Sequence, residues 1–76
     1  MIKIEKATGT CSCNCCQNAN YKDCTGLFNY IVQDIYEISF STPNGNACTE
    51  VHLCKDCLKQ LAENIKIKLD ELGANL

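Results

Sequence analysis

The chain has 76 residues, enough for one domain but too few to bury a large apolar core, so a staple such as a metal, disulfides or a partner is expected. Its 8 cysteines narrow the choice to disulfides or metal thiolates. The formal charge is −2 and the 7 basic residues are all lysines, which weighs against a protein that lives on phosphate contacts or reads bases through arginine.

Residues 1–8 open with Ile2 and Ile4 alternating with Lys3 and Glu5, the pattern of a short edge strand. No long apolar run follows Met1, so neither a signal peptide nor a membrane span is expected, and the chain reads as cytoplasmic. A cytoplasmic chain keeps its thiols reduced, which favours metal over disulfides. Residues 11–30 form a cysteine-rich knuckle and loop, punctuated by Asn14, Asn18, Asn20 and Gly26. The loop carries Tyr21, Leu27, Phe28, Tyr30 and Ile31, more apolar surface than an ordinary connector.

Residues 31–53 read as a β-hairpin. Its arms are Ile35 to Ser41 and Ala47 to Leu53, and its turn is Pro43-Asn44-Gly45-Asn46, with Asn44-Gly45 predicting a two-residue type I′ loop. That register sets Tyr36, Ile38 and Phe40 opposite Leu53, Val51 and Thr49 on one face. On the other face it pairs Glu37 with His52 and Ser39 with Glu50. Residues 55–72 predict a helix. Leu58, Leu61, Ala62, Ile65, Leu69 and Leu72 make one apolar stripe, and Gly73 stands where a C-terminal cap belongs. Ile67 falls off the stripe, as a lone exposed residue or part of a contact surface.

Zinc takes four thiolate or imidazole ligands in a tetrahedron, and a C-x-x-C pair supplies two of them. Cys54 and Cys57 form such a pair where the second hairpin arm meets the helix, where free backbone N–H groups favour negative sulfur. A second pair comes from the run Cys11-Ser12-Cys13-Asn14-Cys15-Cys16, in which Cys13 and Cys16 have C-x-x-C spacing and Cys11 or Cys15 can substitute. The remaining ligand types are Cys11, Cys15, Cys24, Cys48 and His52. They suit a second metal, while as spare residues the thiols are small hydrophobes and His52 is a surface partner of Glu37.

The order of knuckle, hairpin and C-x-x-C opening a helix resembles the treble-clef zinc fingers over residues 11–72. The run Leu53-Cys54-x-x-Cys57-Leu58-x-x-Leu61 is similar to the ending of small zinc proteins of phages and low-GC bacteria. The resemblance implies a small zinc-stabilised α+β domain spanning 1–76, with Cys13, Cys16, Cys54 and Cys57 as the four ligands. The family usually has glycine after the second knuckle cysteine. Here Gln17-Asn18 follows, and Asn18 is the residue expected to accept positive φ.

A closed four-cysteine site argues against catalysis, and no paired carboxylates or nucleophile–base arrangement is visible, so no enzyme is expected. Treble clefs often bind nucleic acid, but the charge and the absence of arginine and tryptophan point instead to a protein partner. In size and mild acidity the chain is similar to anti-CRISPR proteins, a group without a common motif. That resemblance implies occlusion of a CRISPR effector nuclease by binding.

Overall fold

A computed structural model describes residues 1–22, 25 and 31–74. Among these, the chain is α+β: a three-stranded antiparallel sheet and one C-terminal helix. The strands are β1 (Ile2–Lys6), β2 (Ile35–Ser41) and β3 (Cys48–Cys54), ordered β1-β2-β3, and α1 is Lys55–Glu71. Cys24, Leu27, Phe28 and Tyr30 lie outside the described residues. No described helix is long and apolar enough to cross a membrane.

The hairpin register is the one that alternation predicts. Tyr36 pairs with Leu53, Ile38 with Val51, Phe40 with Thr49, and Glu37 with His52. The turn differs. Thr42 N–H donates to Ala47 O at 3.0 Å, and Gly45 N–H donates to Thr42 O at 3.0 Å, so the loop has four residues and Gly45 alone takes positive φ, at 74°. Pro43 is the reason. A two-residue loop at Asn44-Gly45 needs an N–H from residue 43 to close it, and proline has none. Proline suits the second position of the Thr42–Gly45 turn instead, and Asn44 Oδ1 takes the Thr42 hydroxyl at 2.6 Å and the Asn46 N–H at 3.1 Å.

β1 lies along β2 as an edge strand, with Ile2 beside Phe40 and Ile4 beside Ile38. The knuckle is a miniature hairpin. Ser12 bridges Ala19, Cys13 N–H donates to Asn18 O at 2.6 Å, and Asn20 N–H donates to Cys11 O at 3.0 Å. Ala19 also bridges Val32 in parallel and is almost fully buried, which ties the knuckle to the segment leading into β2.

α1 begins at Cys54, whose extended backbone makes it the N-cap, and ends in a Schellman motif. Gly73, at φ 75°, donates to Asp70 O at 3.1 Å, and Ala74 N–H donates to Leu69 O at 2.8 Å. The apolar stripe is less covered than a core-facing stripe would be. Leu58 and Leu69 are half-buried, but Leu61, Ile65 and Leu72 are exposed. Among the described residues, α1 contributes to the core only at its start, through Cys57 and Leu58.

The core is correspondingly small. Ala7, Cys13, Ile35, Ile38, Leu53, Cys54 and Cys57 are buried together, with Cys11, Val51 and Leu58 packed against them. Ile35, with no exposed surface, is the only large aliphatic side chain fully enclosed among the described residues. Ile35→Ala is therefore expected to destabilise the fold by about 2–5 kcal/mol, whereas Ile4→Ser on the open face should change stability by less than about 0.5 kcal/mol. Denaturant unfolding of the two variants measures the contrast.

Candidate metal centre

The sulfurs of Cys13, Cys16, Cys54 and Cys57 all lie within 4.8 Å of one another. Zinc–sulfur bonds of about 2.3 Å put the corners of a tetrahedron about 3.8 Å apart, so four sulfurs at this spacing surround a volume of the right size for one ion. Cys16 Sγ and Cys54 Sγ are already 3.4 Å apart, too far for a disulfide and close for a shared ligand shell.

Two chain segments deliver the sulfurs. Cys54 caps α1 and Cys57 is its third residue, so both side chains sit at the end of the helix where N–H groups lack intrahelical partners. Cys13 and Cys16 flank the knuckle turn. Cys15 N–H points at Cys13 Sγ, 3.4 Å away, while the Cys15 side chain is exposed. Asn14 joins the two segments: its N–H donates to His52 O and its Oδ1 accepts the His52 N–H, both at 2.7 Å.

The left-handed position falls on Gln17, at φ 69°, instead of on Asn18. Asn18 is committed elsewhere. Its carbonyl accepts the Cys13 N–H, and its Oδ1 accepts the Ile31 N–H at 3.1 Å. A left-handed glutamine costs roughly 1–2 kcal/mol, a strain the knuckle carries where glycine would relieve it.

The sulfurs shift one another's ionisation in both directions. Burial pushes the Cys13 thiol up, but backbone N–H groups of Cys54, Cys15 and Cys16, with the Cys16 side chain, bring it down to about 6. Cys57 is pushed far above the ordinary thiol range, first by the Cys54 side chain, then by burial and by the sulfurs of Cys16, Cys13 and Cys15. For Cys16, the Asn18 backbone lowers the value, but burial and the Cys54 and Cys13 side chains outweigh it and raise the thiol overall. One negative sulfur is stabilised by N–H donors, and further negative charge is resisted. A dication at the centre removes that resistance, because metal-bound thiols are deprotonated outright.

Of the other sequence candidates, those among the described residues form no cluster with one another. Cys11 is half-buried with its Sγ 3.8 Å from Thr8 O, Cys15 and Cys48 are exposed, and Cys24 lies outside the described residues. Among the described residues, these thiols and His52 form no group of three metal-ligating side chains. His52 joins Glu37 and Glu50 instead. The alternation already placed Glu50 on the face of Glu37 and His52, but its closeness to both is visible only in the folded chain. A four-cysteine cluster that can hold a metal ion is thus present, and its donor set suits zinc. No family model, curated protein or solved structure matches this chain.

Strong chelator is expected to unfold the domain, and Cys57→Ser to weaken metal retention, while Cys15→Ser retains both metal and fold; circular dichroism and elemental analysis report each. Metal uptake at neutral pH should release at least two protons, from Cys16 and Cys57, whose values are raised, while Cys13 at about 6 is already ionised. Affinity should therefore fall as pH falls, and calorimetry in buffers of different ionisation enthalpy counts the protons.

Proposed function

We infer that the chain is a non-enzymatic zinc-binding module, of treble-clef type, that acts by binding another protein. The observation that carries the reading is the exposed outer part of the apolar sheet face, beyond the buried Ile38 and Leu53. Ile2 (70% exposed), Ile4 (58%) and Phe40 (42%) stand together there by register, and Leu61, Ile65 and Leu72 line α1 uncovered. A shallow hollow of about 270 Å³ lies beside the sheet patch, lined by Met1, Ile2, Phe40, Ala47 and Thr49 among others.

The size of the surface supports the same reading. A compact protein of 8.4 kDa exposes about 4,600 Å², and this chain exposes 5986 Å². The surplus exceeds the roughly 800 Å² that each partner buries in a standard interface. The radius of gyration, 14.9 Å against about 11 Å for a compact chain of this length, follows from the same thin shape. The zinc centre plays the structural part: it fixes the knuckle to the helix and frees the sheet face for contact.

The narrower reading is inhibition of a CRISPR effector nuclease by occlusion. It rests on the small size and the charge of −2, which suit a basic nucleic-acid groove on such an enzyme. Phe40→Glu is expected to abolish capture of a protein partner, and any nuclease inhibition, while leaving metal content and unfolding unchanged. Strong retention on nucleic acid at physiological salt without a protein partner would instead identify a nucleic-acid-binding treble clef.

A further inference from the structure

The opposite face of the sheet carries a second group of metal-ligating side chains, chemically unlike the cysteines. Glu37 is the register partner of His52, and Glu50 precedes His52 by two residues on β3, so all three project from one face. Their donor atoms all lie within 4.8 Å of one another. His52 Nε2 stands 3.8 Å from Glu37 Oε2, with 26% and 33% of the two side chains exposed.

One imidazole and two carboxylates bind a divalent ion through bonds of about 2.0–2.2 Å, which sets neighbouring donors about 3.0–3.5 Å apart. Movements of about 1 Å or less per side chain bring the three donors to that spacing, well within the reach of a glutamate.

Ion pairing leaves part of the arrangement unexplained. A protonated His52 can serve Glu37, but Glu50 has no cationic partner among the described residues. Glu5 stands opposite Glu37 on β1, and Lys3, opposite Ser39, is the one lysine that strand alternation puts on this face. Three carboxylates against one lysine make a negative surface that draws a cation.

The histidine is also held in place. Both backbone groups of His52 are bound to Asn14, within the knuckle that supplies Cys13 and Cys16. The strand position of the imidazole is therefore fixed by the cysteine centre.

We propose that Glu37, Glu50 and His52 form a second divalent-metal site, of nitrogen–oxygen type, for an ion of the zinc class. Softness separates the two sites: the first equivalent goes to the thiolates, and the second site takes the next with lower affinity. Three protein donors leave at least one coordination position for water or for a donor from a bound partner.

The test starts from full-length protein carrying one equivalent of Zn²⁺, titrated with further Zn²⁺ at about pH 8, above the ordinary imidazole range. Calorimetry should show one more saturable event per chain. His52→Ala should abolish that event and Glu50→Gln weaken it at least about tenfold, since removing one ligand of three leaves too few donors for a stable site. His52→Ala keeps both backbone bonds to Asn14, so its fold and its cysteine-bound zinc, read by circular dichroism and thiol titration, should be unchanged. Ni²⁺ in place of the second Zn²⁺ should broaden the His52 ring resonances in the same titration. Absence of a second event, or one that persists in His52→Ala, would overturn the proposal and leave a His52–Glu37 ion pair.

Discussion

Four sulfurs confined to one small volume are the constraint on which the rest of the molecule depends. Among the described residues, three of them belong to the buried core, alongside only three aliphatic side chains of any size, Ile35, Ile38 and Leu53. Such aliphatic groups contribute about 1.5–3 kcal/mol each, whereas structural zinc in small fingers supplies on the order of 10–16 kcal/mol. Without a cation, further negative charge in the cluster is resisted, as the upward displacement of Cys57 by its sulfur neighbours indicates. The fold therefore places its least apolar cluster where a larger protein would put its most apolar one.

That placement shapes the two faces of the sheet. The cysteine centre occupies the end where β3 runs into α1, and the hydrophobic contacts gather around it. Farther along, several strand side chains are left exposed among the described residues. Ile2, Ile4 and Phe40 face outward on one side, and Glu37, Glu50 and His52 on the other. A thin sheet held at one corner thus presents an apolar surface and a charged surface back to back, each free to take a different kind of contact.

The elements with two agreeing signals were legible in the sequence. Alternation on both arms set the register from Tyr36–Leu53 to Phe40–Thr49, and the stripe with Gly73 set the helix and its cap. The C-x-x-C spacing at Cys54 and Cys57 placed both sulfurs at the helix start. What could not be read was competition between local preferences. Asn44-Gly45 favours a primed turn, but the missing N–H of Pro43 decides against it. Asn18 tolerates positive φ better than Gln17, yet with its hydrogen bonds committed it is Gln17 that takes the left-handed position. The choice of Cys13 and Cys16 over Cys11 and Cys15 rests on the pairing within the knuckle, which spacing alone leaves open. Burial of the helix stripe was also beyond the sequence, because periodicity shows which residues share a face but not whether anything lies against it.

The two bonds between Asn14 and the backbone of His52 have a consequence for how the sheet can grow. β1 and β3 are both edge strands, and edge strands are templates for further pairing. At β3 the outward-pointing N–H and C=O of His52 are already satisfied by the knuckle, so an incoming strand meets an obstruction at mid-length. β1 has no such cover among the described residues. A peptide that extends this sheet by a fourth strand finds an unbroken backbone edge only at β1, next to Ile2 and Ile4. The knuckle therefore polarises the sheet, closing one side to strand addition and leaving the other open among the described residues.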